Sequence, residues 1–587
     1  MKNTTATLIV VAASVLGPVA RAGTDFRAAK TIFQTNVAYD PRLAIAVDGV
    51  VVHRHGADFR PALQSWIDNG FLTGRMFFAD SDAGNIYWKG KWDGTPRPGD
   101  VERDRKGEVV MCAGVRPYML PTDGWIRYLE EMTDQSLAAG ARAILPEEPL
   151  AHIFSGYEDG FKALWQERYG RAWQGQHESA EACWMTAQLK NELYIELERR
   201  LLARTKRPPH AETAFILPIH AIYSNIAARL VAPLGTSVDM PGVDGYIGQI
   251  WTGPVNWALN NYGSSERSFF ASAYILYDYF NQLTTGSEKK LWLLIDPVED
   301  DPAHAWSEFA QWYKHCAAAM LLIDDVDAYE IMPWPDRIFL PGYGTGGGTP
   351  APQDYRTTIL AVTQVLQEVP KGGTRFFGAN PNAPAADDNP RIGVAMADTL
   401  MWQRHEYPML HNVYSLFMPL VRRGLEVSSF VLERAADPGY TGRFDVIVLC
   451  YESFKPASAA MNEALADWVR RGGRLLVLGR DGDELDQCGN LWWREAGFDS
   501  PLRHLLSLLT APDTDRAQWT CGDGMVLKDP VSPREFADPA VAEDHYLMRL
   551  KQMVEPGILT CPDRSVSSAG LSSSLSRKPN RSRWRAV

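Results

Sequence analysis

Two groups of acidic residues in this chain could do chemistry: Pro146-Glu147-Glu148-Pro149 after one apolar run, and Asp296-Pro-Val-Glu299-Asp300-Asp301 after another. Hydrolysis of a glycosidic bond needs two carboxyl groups, one protonated to serve the leaving oxygen and one ionised to attack or to activate water. Glu148, Glu299 and Asp296 are the candidate catalytic groups on that basis. Acidic loops are more often solvated surface or helix caps, and Asp300 and Asp301, just ahead of a helical pattern at Ala305, fit that plainer description.

Sugar sites also need flat apolar platforms, because the C–H face of a pyranose packs on rings while its hydroxyls seek polar partners. Tyr118, Trp251, Trp334 and Trp88 follow strand-like runs, although most of the 19 Trp must be core. Glu147, Arg116, His55, Asp80, His220 and Gln249 sit at similar positions and are the expected substrate-orienting groups. His53-Arg-His55 places two imidazoles on one face of a strand, the spacing of a metal pair. A metal-dependent hydrolase built on His53, His55, His220 and Asp296 is therefore an alternative, weaker than a substrate-binding role for the histidines. Gly342-Tyr-Gly344-Thr-Gly-Gly347 matches G-x-G-x-x-G but lies between prolines, so it reads as a loop. The sequence contains no G-x-S-x-G, GK[ST] or H-E-x-x-H, the motifs of serine hydrolases, P-loop proteins and zinc proteases.

What could hold these residues together is an alternation of apolar runs and helical patterns. The runs are Leu43–Val52, Gly74–Ala79, Glu108–Gly114, Ala141–Leu145, Thr213–Leu217, Gly245–Trp251, Lys290–Ile295 and Tyr329–Met332. The helical patterns between them are Phe59–Asn69, Gly124–Ala138, Gly160–Tyr169, Cys183–Ala203, Arg267–Leu283, Ala305–Leu322 and Tyr355–Glu368. Eight Val/Ile/Leu-rich strands alternating with helices predict a (β/α)₈ TIM barrel, whose active site lies where the strands end. The carboxylates after strands four and seven would then face each other across the barrel mouth.

Residues 379–390 are rich in Asn, Pro, Ala and Asp and read as a linker. Beyond it, strands at Ile392–Ala397, Glu426–Leu432, Asp445–Tyr451 and Gly473–Gly479 alternate with helices at Tyr414–Arg423 and Ser458–Arg471. These predict a smaller doubly wound α/β domain over residues 391–560. Residues 1–22 combine Lys2, an apolar run and Ala20-Arg-Ala22, the pattern of a cleaved secretory signal, so a secreted or periplasmic protein is expected. The barrel is placed at 23–378 and a disordered basic tail at 561–587. The formal charge of −12 argues against nucleic acid, and no apolar run is long enough to span a membrane. Seven scattered cysteines without C-x-x-C suggest neither a disulfide framework nor a zinc site.

On these residues, with the Glu-Pro after strand four and the second α/β domain, the chain resembles the large (β/α)₈ clan of glycoside hydrolases that contains the β-galactosidases. The likeness is to the family-42 type, in which a domain similar to class I glutamine amidotransferases follows the barrel and serves trimerisation. The resemblance implies a glycoside or oligosaccharide substrate, no cofactor and a homotrimer. It also implies Glu148 before Pro149 as acid/base, with Glu147 where the family carries Asn. Glu299 matches the strand-seven nucleophile best, and Asp296 is its alternative. An amidotransferase would carry a nucleophilic Cys after Gly473–Gly479, but this chain has Arg480-Asp481, so that domain is expected to pack or oligomerise. Glu147 in place of Asn also leaves a second reading, a carbohydrate-binding protein that kept the barrel and lost the catalytic pair.

Overall fold

The computed structural model describes residues 25–554 apart from 44, 55–57, 113, 251–268, 300, 302, 324, 342–349, 370–390, 404–407, 422, 453, 534 and 536–538. The signal-like segment, the linker, the G-x-G-x-x-G loop and the basic tail lie outside the described residues.

Eight parallel strands close into a barrel: β1 (Thr31–Thr35), β2 (Gly49–Val52), β3 (Leu72–Phe78), β4 (Ala143–Glu147), β5 (Ala214–His220), β6 (Gly245–Gln249), β7 (Lys290–Leu294) and β8 (Ala328–Pro333). Around them run α1 (Arg60–Asp68), α2 (Asp123–Ala138), α3 (Asp159–Tyr169), α4 (Ala180–Thr205), α5 (Ile222–Ala227), α6 (Phe269–Thr284), α7 (Trp306–Met320) and α8 (Gln353–Glu368). Alternate strand residues point inward, so Ile32, Val51, Met76, Leu145, Ile216, Ile247 and Leu294 form an interior cluster with Phe26 and Trp292. The barrel is tight there: a Cβ on Gly74 would lie 2.9 Å from Leu145 Cδ1, so any larger residue would force Leu145 to move. The Trp292 indole donates to the Ala29 carbonyl at 3.0 Å and ties the entering chain to β7.

Two expected strands are corrected. The first barrel strand is Thr31–Thr35, and of the expected Leu43–Val52 run only Gly49–Val52 is strand, as β2. The expected third strand, Glu108–Gly114, is not in the barrel. Within it, Met111–Cys112 pairs with Arg116–Pro117 in a two-residue hairpin. Met111 is exposed, whereas barrel strands are buried on both faces. The two errors cancel, so strands four and seven keep their places in the count.

The second domain has a six-stranded sheet of β9 (Ile392–Met396), β10 (Val427–Val431), β11 (Val446–Leu449), β12 (Arg474–Leu478), β13 (Ala517–Cys521) and β14 (Gly524–Asp529), in the order β10-β9-β11-β12-β14-β13. All neighbours are parallel except the β13–β14 hairpin, which the sequence reading did not anticipate. Apolar burial and buried polar contacts join this domain to the barrel. The Asp398 carboxylate accepts from the backbone N–H groups of Leu234, Gly235 and Thr236 and from Thr236 Oγ1, all within 3.0 Å. Arg434 donates to the carbonyls of Gln282 and Thr285 at the end of α6. Among the described residues no helix is long and apolar enough to cross a membrane.

Candidate active site

The Pro-flanked acids sit where β4 ends. Glu147 is its last residue. Glu148 follows with φ 55°, in the left-handed region a non-glycine residue rarely adopts, and its N–H donates to the Pro218 carbonyl of β5 at 3.0 Å. Val298 after β7 (φ 61°) and Trp334 after β8 (φ 53°) are strained in the same way. Backbone strain at three strand ends of one barrel face is the kind that accumulates at functional sites.

Each acid of the pair has its own partners. Glu147 Oε2 meets His53 Nε2, and its Oε1 accepts from Gln249 Nε2, the last residue of β6, at 2.9 Å. Glu148 Oε1 bonds His220 Nε2, the last residue of β5, at 2.7 Å. Burial, reinforced by the charge of Glu148, pushes the Glu147 carboxyl up to about 8. Burial acts on Glu148 too, but the His220 hydrogen bond and the charges of His220 and Arg116 outweigh it and leave that carboxyl below its ordinary value. Near neutral pH the adjacent pair therefore carries one proton and one negative charge, and the titration belongs to the pair.

A third acid, Asp80, lies two residues beyond β3. It is fully buried, neither oxygen has a hydrogen-bond partner among the described residues, and burial plus the charge of Glu148 push its carboxyl well above the ordinary range. Asp82, also acidic and close by in sequence, is structural: it caps a turn by accepting from the N–H groups of Ile86, Tyr87 and Trp88. Arg116, on the small hairpin, stacks its guanidinium 3.4 Å above the Phe78 ring. Tyr118 packs edge-on to His152 at 4.2 Å. Trp334 is half-buried, 5.5 Å from the His53 ring. His53 is held neutral, first by burial and then by the charges of Arg75 and Arg116.

Across the barrel, Asp296 and Glu299 share one cation. Arg337 Nη2 lies 2.7 Å from Asp296 Oδ1 and 2.8 Å from Glu299 Oε2, and the Tyr355 hydroxyl donates to Glu299 Oε1 at 2.5 Å. The Glu299 side chain is 0% exposed and the Asp296 side chain 10%. Burial, with the charge of Asp296, raises Glu299 against the pull of Arg337.

Within electrostatic reach of both sides lies Glu330, a residue that sequence reasoning missed. It lies on β8, on the inward face it shares with Ala328, with neither oxygen hydrogen-bonded among the described residues. Burial and the charges of Glu147 and Asp296 push its carboxyl well above the usual range. A lone acid inside the apolar run Ala328-Tyr-Glu-Ile-Met332 was the available signal, since an isolated buried charge is costly. The clamp residues Arg337 and Tyr355 were also missed as partners of the strand-seven acids. His55 and Trp251 lie outside the described residues. Of the remaining expected residues, Glu147, Glu148, His220 and Gln249 are hydrogen-bonded within one cluster, with Asp80 and Arg116 close enough to act on it electrostatically. Among the described residues no group of three or more His, Cys, Asp and Glu side chains could hold a metal ion.

No protein-family model matches the chain, and no curated protein matches its sequence. Its fold is shared with solved structures. A β-galactosidase from Bacillus circulans sp. alkalophilus superposes with a TM-score of 0.55 at 11% identity, covering 91% of this chain and 90% of that one. Gan42B, a GH42 β-galactosidase from G. stearothermophilus, gives 0.53 at 10% identity, covering 86% and 83%. The likeness runs through the barrel and into the second domain, and at such identities it is one of fold.

In the second domain the turn after β12 carries Gly479 at φ 85°, where a Cβ would lie 2.7 Å from Glu452 Oε1. The following Arg480 N–H donates to that same oxygen at 2.8 Å. An amidotransferase-type nucleophile has no counterpart in the Gly479-Arg480-Asp481 sequence there.

Proposed function

We propose that the protein is an exported glycoside hydrolase with a β-galactosidase-like preference, acting with retention through the Glu147–Glu148 pair as acid/base and Asp296 as nucleophile. The observation that carries this reading is the pair itself. Two adjacent carboxyls at the end of β4 have environments that drive their proton affinities apart, which is how one site holds an acid and a carboxylate at one pH. The two fold neighbours named above are β-galactosidases, which supports the sugar class.

In the first step the Asp296 carboxylate attacks the anomeric carbon. The bond to the leaving oxygen breaks, and that oxygen takes the pair's proton. In the second, water attacks the same carbon, the pair recovers a proton from it, and Asp296 is released as the free carboxylate. Protons pass through Glu148, the more exposed acid, while Glu147, with His53 and Gln249, holds the proton in reserve. Arg337 pairs with Asp296 through Nη2 and Oδ1 and orients its carboxylate. Asp296 is preferred to Glu299 as nucleophile because Glu299 is closed off beneath Arg337 and Tyr355 and a sugar carbon could not reach it. Trp334 supplies the platform and Arg116 a hydrogen-bond donor for the sugar. Trimer formation through the second domain belongs to the same reading, and sedimentation tests it.

The test of function is a panel of 4-nitrophenyl α- and β-glycosides, given to the wild type and to Glu148→Gln and Asp296→Asn. Turnover of a glycoside by the wild type that both variants lose is the expected result. Failure of every glycoside, or full activity in Glu148→Gln, would sink the proposal.

A further inference from the structure

A cavity of 410 Å³ lies on the outer side of the barrel wall, between β3 and helices α1 and α2. That volume is in the range of small-molecule sites. Its walls are aromatic, including Phe59, Phe77, Phe78, Trp125 and Tyr128, and its polar centre is Arg75 from β3.

Arg75 is only 2% exposed. Nη1 donates to the Val52 carbonyl at 3.1 Å and Nη2 reaches the Arg54 carbonyl at 3.4 Å, while Nε has no partner. Among the described residues no carboxylate pairs with it. The two acids lining the cavity are engaged elsewhere. Asp58 pairs with Arg60 at 2.8 Å, and Glu131 accepts from the Trp92 indole and from Gln135. Arg54, also on the wall, donates to the Asn36 carbonyl.

A buried cation without a counterion is costly, and burial pushes Arg75 down to about 9. The buried, unpartnered Nε is one side of the guanidinium fork that a carboxylate takes with two parallel hydrogen bonds. The guanidinium carbon lies over the rings of Phe59 and Phe77, 4.5 and 5.9 Å from their centroids, so the cation sits among flat apolar faces.

We infer that this cavity is a binding site for a small carboxylate with a flat apolar body, such as an aryl carboxylate, its carboxyl group seated on Arg75. The site is distinct from the barrel mouth, but only one ring separates them. Phe78 lines the cavity, and its ring also stacks under Arg116 and lies 4.5 Å from His53. The inference is independent of the glycosidase reading.

The test is titration of the full-length protein with benzoate and, separately, with benzamide, followed by calorimetry and by tryptophan fluorescence, since Trp92 and Trp125 line the cavity. Saturable benzoate binding is expected, with benzamide at least about tenfold weaker and inorganic phosphate unable to displace benzoate. Arg75→Met should abolish binding. Ala83→Phe, which adds a ring to the cavity wall, should do so as well in a protein whose circular dichroism and melting match the wild type. No saturable benzoate binding up to about 50 mM, equal binding of benzamide, displacement by phosphate, or undiminished binding in folded Ala83→Phe would overturn the inference.

Discussion

Replacing Glu147 by Gln should stabilise the barrel, and increasingly so as the pH rises. The amide reproduces the protonated carboxyl: its oxygen can accept from Gln249 and its NH₂ can donate to His53, the two partners Glu147 already has. The sign follows from proton linkage. The folded-state value of about 8 lies above the ordinary 4.5, so between those pH values the folded chain holds a proton that the unfolded chain has released. The stability this proton confers is complete below pH 4.5 and is lost as the pH rises to 8. Glutamine has no such dependence. At roughly 1.4 kcal/mol per tenfold change in proton affinity, the gap between variant and wild type opens to an upper bound of roughly 5 kcal/mol by pH 8. Sharing of the titration with Glu148 lowers that bound. Guanidinium unfolding followed by tryptophan fluorescence at pH 5, 7 and 9 measures it. A difference that does not change with pH, or a wild type more stable than the variant at pH 9, would refute the reasoning.

The same substitution removes the proton that the pair holds near neutrality and leaves Glu148, whose carboxyl lies below its ordinary value, as the sole acid, so kcat/KM should fall sharply at pH 7 and recover only toward acid pH; a pH–rate profile from pH 4 to 9.5 decides it. Glu148→Gln should lower kcat by about 10²–10⁴ with little change in KM, read by steady-state kinetics on the best glycoside. Arg337→Met strands two buried carboxylates and should cost about 3–5 kcal/mol of the barrel's unfolding free energy, measured by denaturant unfolding and recovered at low pH where both acids are protonated. Asp398→Ala leaves three backbone N–H groups without their acceptor at the domain junction. A loss of about 2–4 kcal/mol is expected there, visible as earlier release of the second domain in limited proteolysis.

The helices were the most legible part of the sequence, because their apolar spacing and their place in the fold agree. Phe59–Asn69 became Arg60–Asp68, and Tyr355–Glu368 became Gln353–Glu368. The first strand was not legible. Thr31–Thr35 is short, carries Gln34 and two threonines, and owes its buried strand character to β8 and β2 on either side rather than to an apolar run of its own. Glu108–Gly114 misled for the opposite reason, since β-favouring residues there serve a hairpin at the surface. Part of the site was written locally: Pro146 and Pro149 fence Glu147 and Glu148 at a strand end, and His220 and Gln249 close their own strands. What could not be read were pairings across the fold. Tyr355 reaches Glu299 from a helix 56 residues later, and Glu147 meets His53 across 94 residues. The proton affinities of the pair depend on burial, which no local pattern encodes. Glu330 and Arg75 were visible as charges inside apolar strands, and only the closed barrel shows one inside it and the other against its outer wall.

The most direct measurement is mass spectrometry of the full-length protein after incubation with a 2-deoxy-2-fluoro-β-galactosyl fluoride, whose glycosyl-enzyme breaks down slowly enough to be mapped. Retention through Asp296 predicts one covalent sugar per chain on the peptide that carries Asp296, and none in Asp296→Asn. A label on Glu299, or no label from a protein that hydrolyses the parent β-galactoside, would contradict it.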